Sequence, residues 1–125
     1  VIKKLVKDLN FNIDIIVCPT VREPDGLAMS SRNSYLNNQE RKAATLLYKA
    51  LKEGETLVKN GVSDVSRVKK AIEAAINSSP MTDIEYIEIV DPLSLEKVEK
   101  IEKSDVMCLA VKIGSTRLID NLIVE

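Results

Sequence analysis

The sequence predicts an α+β domain: an αα-hairpin packed on a small, about three-stranded antiparallel sheet, preceded by one helix and one strand that belong to a different kind of layer. Three observations carry this expectation. Apolar side chains recur at helical spacing on both sides of Asn60-Gly61. From Ile84 onward the pattern changes to β-branched runs separated by short turns. Ile13 to Cys18 forms a brief apolar run closed by Pro19.

Taken in order, Ile2, Leu5, Val6 and Leu9 fall at i, i+3, i+4 and i+7 and predict an amphipathic helix that stops near Asn10. The run Ile13–Cys18 then reads as a short buried strand. A helix leading into an apolar strand is half of a βαβ unit, so its sheet partners are expected upstream of Val1; otherwise the strand presents an exposed edge. Asn37 with Glu40 three residues later resembles a capping box. Leu47, Ala50, Leu51, Gly54, Leu57 and Val58 continue the stripe until Asn60-Gly61. A second helix starts near Ser63 or Asp64, turns Val65, Val68, Ile72, Ala75 and Ile76 inward, and stops at Ser78-Ser79-Pro80.

Ile84 to Val90 predicts a strand, and Asp91-Pro92 predicts an N-cap with one short helical turn. Val98 and Ile101 mark a short edge strand. Val106 to Ile113 and Leu118 to Val124 are strands around the turn Gly114-Ser115-Thr116, and strands joined this way pair antiparallel.

A chain of 125 residues is long enough for one domain with a real core. Its 45% hydrophobic and 30% charged residues are those of a globular protein. Eighteen basic against nineteen acidic residues leave a charge of −1, so no global field draws in nucleic acid or an anionic membrane. No apolar run reaches the roughly 20 residues that span a bilayer. Histidine is absent, which removes the commonest general base and transition-metal ligand and argues against a hydrolase triad or zinc site. Cys18 and Cys108 lie in apolar runs and read as two buried thiols. No signal-peptide pattern opens the chain, so the cytoplasm is the expected location. Starting on Val1 rather than Met fits a fragment or processed product.

One stretch, Val21 to Leu36, has neither period. A Pro24-Asp25-Gly26 turn precedes Ser30, Ser31, Arg32 and Asn33, and hydroxyls, backbone N–H groups and an arginine fork are the donors that a polyphosphate needs. The same residues also suit a polar turn with an N-cap serine, and composition alone favours that alternative. In it, Ser30 or Ser31 caps the turn, Arg32 pairs with Glu23 or Asp25, and Met29 is core.

Pro19 to Asn33, reading PTVREPDGLAMSSRN, closely resembles the matching segment of the pantothenate synthetase (pantoate–β-alanine ligase) family. Gly114 to Asn121, reading GSTRLIDN, is similar to that family's closing strand. Two long matches in the right order are far more specific than one loop motif. The resemblance implies a Rossmann-like nucleotide-binding domain followed by a smaller domain that covers the site. Residues 1–20 would then be the last helix and strand of the first domain, 21–36 a KMSKS-like ATP loop, and 37–125 the lid domain. It also implies ATP, pantoate and β-alanine as substrates, a pantoyl adenylate as intermediate, AMP and pyrophosphate as products, and Mg²⁺ whose ligands are not assigned here. A homodimer is implied for the intact enzyme.

By the same resemblance Val21 and Met29 contact the nucleotide through backbone groups, while Ser30, Ser31 and Arg32 hold phosphates and Arg32 stabilises transition-state charge. The family's HxGH-type motif is absent from this chain, which by itself is therefore expected to be inactive. Arg117, Asp120 and Asn121 are either a structural polar cluster or substrate contacts. Two rivals stand beside the ligase: another nucleotidyl-transferring enzyme of the same superfamily, and a stand-alone interaction domain that uses the strand at Ile13–Cys18 as a docking edge.

Overall fold

In the computed structural model, which describes residues 1–125, the elements run α1 (Ile2–Asp8), a 3₁₀ turn (Ser31–Tyr35), α2 (Asn38–Lys59), α3 (Val65–Ile76), β1 (Thr82–Val90), β2 (Val106–Ile113) and β3 (Thr116–Ile123). The capping box forms as expected. Asn37 Oδ1 accepts from the N–H groups of Gln39 and Glu40, Glu40 Oε2 accepts from Asn37 N–H, and all three bonds are 2.9 Å. Asp64 caps α3 through the Arg67 N–H at 2.6 Å. The turn at Asn60-Gly61 puts Gly61 at φ +90°, the left-handed conformation in which glycine ends a helix without strain.

The αα-hairpin covers one face of an antiparallel sheet with order β1-β2-β3. Leu47, Leu51, Val68, Ile72 and Ile76 meet Ile89, Met107, Leu109, Val111 and Ile113 in one cluster of 18 buried residues. The helices approach closely at Gly54, where an added Cβ would lie 2.8 Å from Ile72 Cδ1. The strand register slips between Ile84 and Tyr86, a bulge at Glu85. Inward residues therefore change from Ile84 to Ile87 and Ile89, an odd step that only an extra residue permits.

Four expectations need correction. Residues 11–20 form no strand, with Ile16 86% and Val17 67% exposed, because a strand needs a hydrogen-bonding neighbour and no other segment of this chain pairs with it. Cys18 is consequently exposed rather than buried, and Cys108 is half-buried. Val98 and Ile101 make no edge strand. Only single bridges, Val90 to Lys97 and Asp64 to Lys100, form there, and Ile101 instead plugs the core while its N–H donates to Ser63 C=O at 2.9 Å. Asp91-Pro92 starts a hydrogen-bonded turn and no helix: Asp91 Oδ1 accepts from the Leu93 and Ser94 N–H groups, and Leu95 at φ +61° leaves the helical region. Helix α1 forms and ends with Asn10 at φ 52°, but it buries no residue. No helix is long and apolar enough to cross a membrane.

Two buried or half-buried glutamates tie the layers to lysines. Glu55, 4% exposed, accepts from Lys52 and from Lys59 (3.0 Å); Glu88 accepts from Lys97 (2.7 Å) and Lys69 (3.0 Å). The Lys52 hydrogen bond, more than the opposing desolvation, holds the Glu55 carboxyl below its usual range, and Lys97 does the same for Glu88. A carboxyl depressed on folding contributes stability at neutral pH that disappears as pH falls through the lowered folded value. The urea midpoint should thus stay flat from neutrality down to about the ordinary glutamate value of 4.3, then fall. Glu55→Gln should cost about 1 kcal/mol at pH 7, since its lysines are half exposed, and should shrink the acid-side drop. A drop of unchanged size in that variant would contradict the assignment.

Candidate functional site

Residues 20–33 fold back on themselves between α2 and the free edge of β3. Arg22 and Ala28 form an antiparallel bridge, flanked by hydrogen bonds from Glu23 N–H to Leu27 C=O (2.8 Å) and from Met29 N–H to Val21 C=O (3.0 Å). Gly26 at φ +92° makes the turn, and Leu27, 3% exposed, drives into the core. Asp25 Oδ1 accepts from Leu27 N–H (3.2 Å), while its carboxylate pairs with Arg41 (2.7 Å), and the Arg41 bond holds the acid below its usual range. The turn is pressed against α2 so tightly that a Cβ on Gly26 would lie 2.5 Å from Tyr48 Cδ1.

Past Met29 the backbone is extended at Ser30 (φ −154°, ψ 144°), and Ser30 Oγ accepts from Arg32 N–H (3.2 Å) to cap the 3₁₀ turn. The capping role set out as an alternative for Ser30 is therefore real. It uses an acceptor lone pair and leaves the hydroxyl proton free to donate. Asn33 Nδ2 donates to Ala28 C=O (3.1 Å), bracing the turn against the hairpin.

Between the loop and β3 lies a cleft of about 500 Å³, with Met29, Ser30, Arg32 and Asn33 on one wall and Arg117 and Asn121 on the other. Of the five residues singled out in the sequence, Met29, Ser30 and Arg32 come together here. Ser31 and Val21 lie outside the cleft lining. Ser31 is exposed, and its C=O accepts from Ser34 Oγ (2.7 Å). Val21 is 68% exposed; its C=O is taken by Met29 N–H, which leaves Val21 N–H and Met29 C=O free. Met29 is 58% exposed and not core. Arg32 pairs with neither Glu23 nor Asp25, the latter being held by Arg41, and its guanidinium engages no carboxylate. The cleft therefore presents one uncommitted guanidinium, a hydroxyl and amide groups, a donor set suited to an anion.

Arg117 and Asp120 do not cluster with each other. Arg117 Nε donates to Glu85 Oε2 (2.6 Å), a bond that raises the Arg117 pKa further, whereas Asp120 is 6% exposed and faces inward. Its partner is Arg22, the residue that sequence reasoning missed. Arg22 Nη1 donates to Asp120 Oδ2 (2.7 Å) and Gly26 C=O (3.0 Å), Nη2 donates to Asp120 Oδ1 (2.9 Å) and Asn121 C=O (3.3 Å), and the guanidinium sits 3.9 Å from the Tyr48 ring centroid. No local signal reveals a pair 98 positions apart. A larger depression of about 810 Å³ between α2, α3 and the Gly26 turn is lined by Tyr48, Lys49, Lys52 and Thr56 and contains none of the loop's Met29, Ser30, Ser31 or Arg32.

Comparison with known proteins gives a consistent outcome. The family model described as pantoate-beta-alanine ligase matches residues 1–123. A pantothenate synthetase from Thermodesulfovibrio yellowstonii is 53% identical over all of this chain and 45% of its own length. One from Acetivibrio thermocellus is 54% identical, again over the whole chain and 44% of the relative. A crystal structure of the Thermus thermophilus pantothenate synthetase superimposes with a TM-score of 0.92 at 37% identity, covering 98% of this chain and 44% of that one. The pantoate-beta-alanine ligase from Francisella tularensis, solved with beta-gamma ATP and beta-alanine, gives 0.61 at 32% identity, with 98% and 38% covered. The chain thus spans a little under half the length of the relatives it matches.

Gly26→Ala tests the seating of the loop. Left-handed backbone costs an alanine about 1–2 kcal/mol, and displacing Tyr48 adds to that. The variant should lose about 2–3 kcal/mol of stability in urea melts, and a loss below about 0.5 kcal/mol, the range of an ordinary surface substitution, would show that the turn is not held against Tyr48.

Proposed function

The chain belongs to the pantoate–β-alanine ligase family, and from that premise we propose that it is the part of such a ligase that carries the phosphate-gripping loop and the small domain behind it. Residues 1–20 are the last helix and strand of a preceding Rossmann-like nucleotide-binding domain, residues 21–36 the KMSKS-like loop, and residues 37–125 the lid. The uncovered apolar side chains of α1 and residues 11–18 support this division, since a strand with no neighbour here would find one in that domain's sheet.

The intact enzyme would join pantoate to β-alanine at the expense of ATP. A carboxylate oxygen of pantoate attacks the α-phosphorus, a P–O bond to the acyl group forms, and the bond to the β-phosphate breaks, releasing pyrophosphate. The β-alanine amine then attacks the acyl carbon, AMP departs, and the amine proton goes to solvent. This chain contributes to the first step. Negative charge grows on the equatorial phosphate oxygens and on pyrophosphate, and donors already fixed in place stabilise it without proton transfer. Arg32 supplies the charge, Ser30 and Ser31 supply hydroxyl donors, and Val21 N–H and Met29 C=O are the backbone groups left to meet the nucleotide. The observation that carries this proposal is the Arg32 guanidinium, which has no carboxylate partner and lines the same cleft as Ser30.

Magnesium accompanies nucleotide chemistry of this kind. The donor set does not fit a metal site: no group of three His, Cys, Asp or Glu residues comes together, and the one carboxylate that lines the cleft, Asp120, is engaged by Arg22. Any metal would be held by phosphates and by the other domain. By the same reading the isolated chain is inactive, the full-length enzyme is a cytoplasmic homodimer, and pantoate and β-alanine bind chiefly outside this segment.

Two measurements test the proposal. Mixing the chain with the preceding domain should restore AMP release that depends on both pantoate and β-alanine; silence from both the mixture and the full-length protein would refute the ligase assignment. Arg32→Ala in the full-length enzyme should slow pyrophosphate release from ATP and pantoate by about 10²–10³-fold. Its melting temperature should hold, since the side chain is exposed and unpaired. Wild-type turnover in that variant would remove Arg32 from the mechanism.

A further inference from the structure

The cleft contains a carboxylate, and a carboxylate is the wrong group to place beside phosphates. Asp120 lines the cleft from the inward face of β3, opposite the face that carries Arg117 and Asn121, is 6% exposed, and would oppose a polyphosphate if left uncompensated. Arg22 cancels it through both oxygens at 2.7 and 2.9 Å. The same guanidinium also takes the Gly26 carbonyl, which belongs to the loop's own turn, and the Asn121 carbonyl of β3, and it stacks on Tyr48 of α2. One side chain thus joins the three elements that bound the cleft and neutralises the one acid in its lining.

We propose that Arg22 is a positioning residue for the adenylation step, acting through Asp120: it sets the distance between the Met29–Arg32 segment and β3 and removes the negative charge that would repel the triphosphate. This deepens the function proposed above and rests on it. Arg22 need not touch substrate. Four hydrogen bonds and the Tyr48 ring already occupy its guanidinium, in contrast to Arg32, whose guanidinium engages no carboxylate. Lysine cannot substitute for it, because an ammonium cannot form the planar two-point pair and reach two carbonyls as well.

The sign of the double variant separates charge from packing. Arg22→Gln leaves Asp120 as an unpaired anion in the cleft, whereas Arg22→Gln with Asp120→Asn removes both charges while position 22 carries the same shortened side chain. In the full-length enzyme, Arg22→Gln should raise the KM for ATP at least tenfold and lower kcat for pyrophosphate release, with the KM for β-alanine unchanged. The double variant should recover most of the ATP KM but only part of kcat, since the loop is less firmly held. Arg22→Lys should behave like Arg22→Gln in kcat. Melting curves recorded in parallel keep folding separate. An ATP KM within twofold of wild type in a folded Arg22→Gln enzyme, or equal rises for ATP and β-alanine, would overturn the proposal.

A second readout needs no catalysis. In the 125-residue chain, Arg22→Gln should lose amide-exchange protection at the Glu23, Gly26 and Met29 N–H groups, which close the hairpin, while the α2 and β2 amides keep theirs. Unchanged loop protection would defeat the positioning claim even if the ligase assignment stands. If the full-length protein proves to have no ligase activity, lost protection would still uphold the anchoring while the adenylation role falls.

Discussion

The Arg22–Asp120 pair is the constraint on which the geometry of the site depends. A buried ion pair contributes little net stability against hydrophobic residues of the same volume, because desolvation of the two charges offsets their attraction. What it fixes is direction. A guanidinium fork accepts a carboxylate in one plane, and with the Tyr48 ring 3.9 Å away that plane is set against a surface of α2. The hairpin that carries Met29 to Arg32 is therefore oriented from below by chemistry that tolerates little rotation. Its one deeply buried apolar contact, Leu27, would by itself allow more.

The other end of the loop is held by different means. The 3₁₀ turn at Ser31–Tyr35 runs into α2 through the Asn37–Glu40 capping box, and the Glu40 carboxylate rests over the β2–β3 turn, where a Cβ on Gly114 would lie 2.1 Å from Glu40 Oε1. Gly114, at φ +57°, thus leaves room for the residue that caps the helix. Between an ion pair at Arg22 and a cap at Asn37, the intervening segment has both ends fixed and its middle exposed. Such an arrangement suits a loop that must meet a ligand without first being built by it.

Much of this was legible in the sequence where the cause is local. The Asn37–Glu40 spacing, the Asn60-Gly61 stop, the Asp64 cap and the β-branched runs from Ile84 onward each specify an element within a few residues, and each formed. The candidate site was legible only as a resemblance, since Ser30, Ser31 and Arg32 taken alone favour a capped turn, and Ser30 is in fact a cap. Errors arose where the cause is distant. Ile13–Cys18 has the composition of a buried strand, but a strand also needs a pairing neighbour, and no other part of the chain pairs with it. Ile101 looked like an edge-strand residue and instead fills the core next to the α2–α3 turn. Arg22 gives no sign of its role until β3 returns beside it.

The bulge at Glu85 sets a rule about chain length. At one end of β1, Thr82 Oγ1 donates to the Ile76 and Ser79 carbonyls; at the other, Glu88 is held by Lys69 and Lys97. Between these anchors the strand changes the face it presents, and that change is what sends both Ile84 and Ile89 into the core while leaving Glu85 free to reach Arg117 across the sheet. A strand of this kind has a parity. Descendants of this sequence can exchange one side chain for another along β1, but the loss or gain of a single residue there would turn half of the strand inside out, so insertions and deletions should collect in the turns on either side of it and not within.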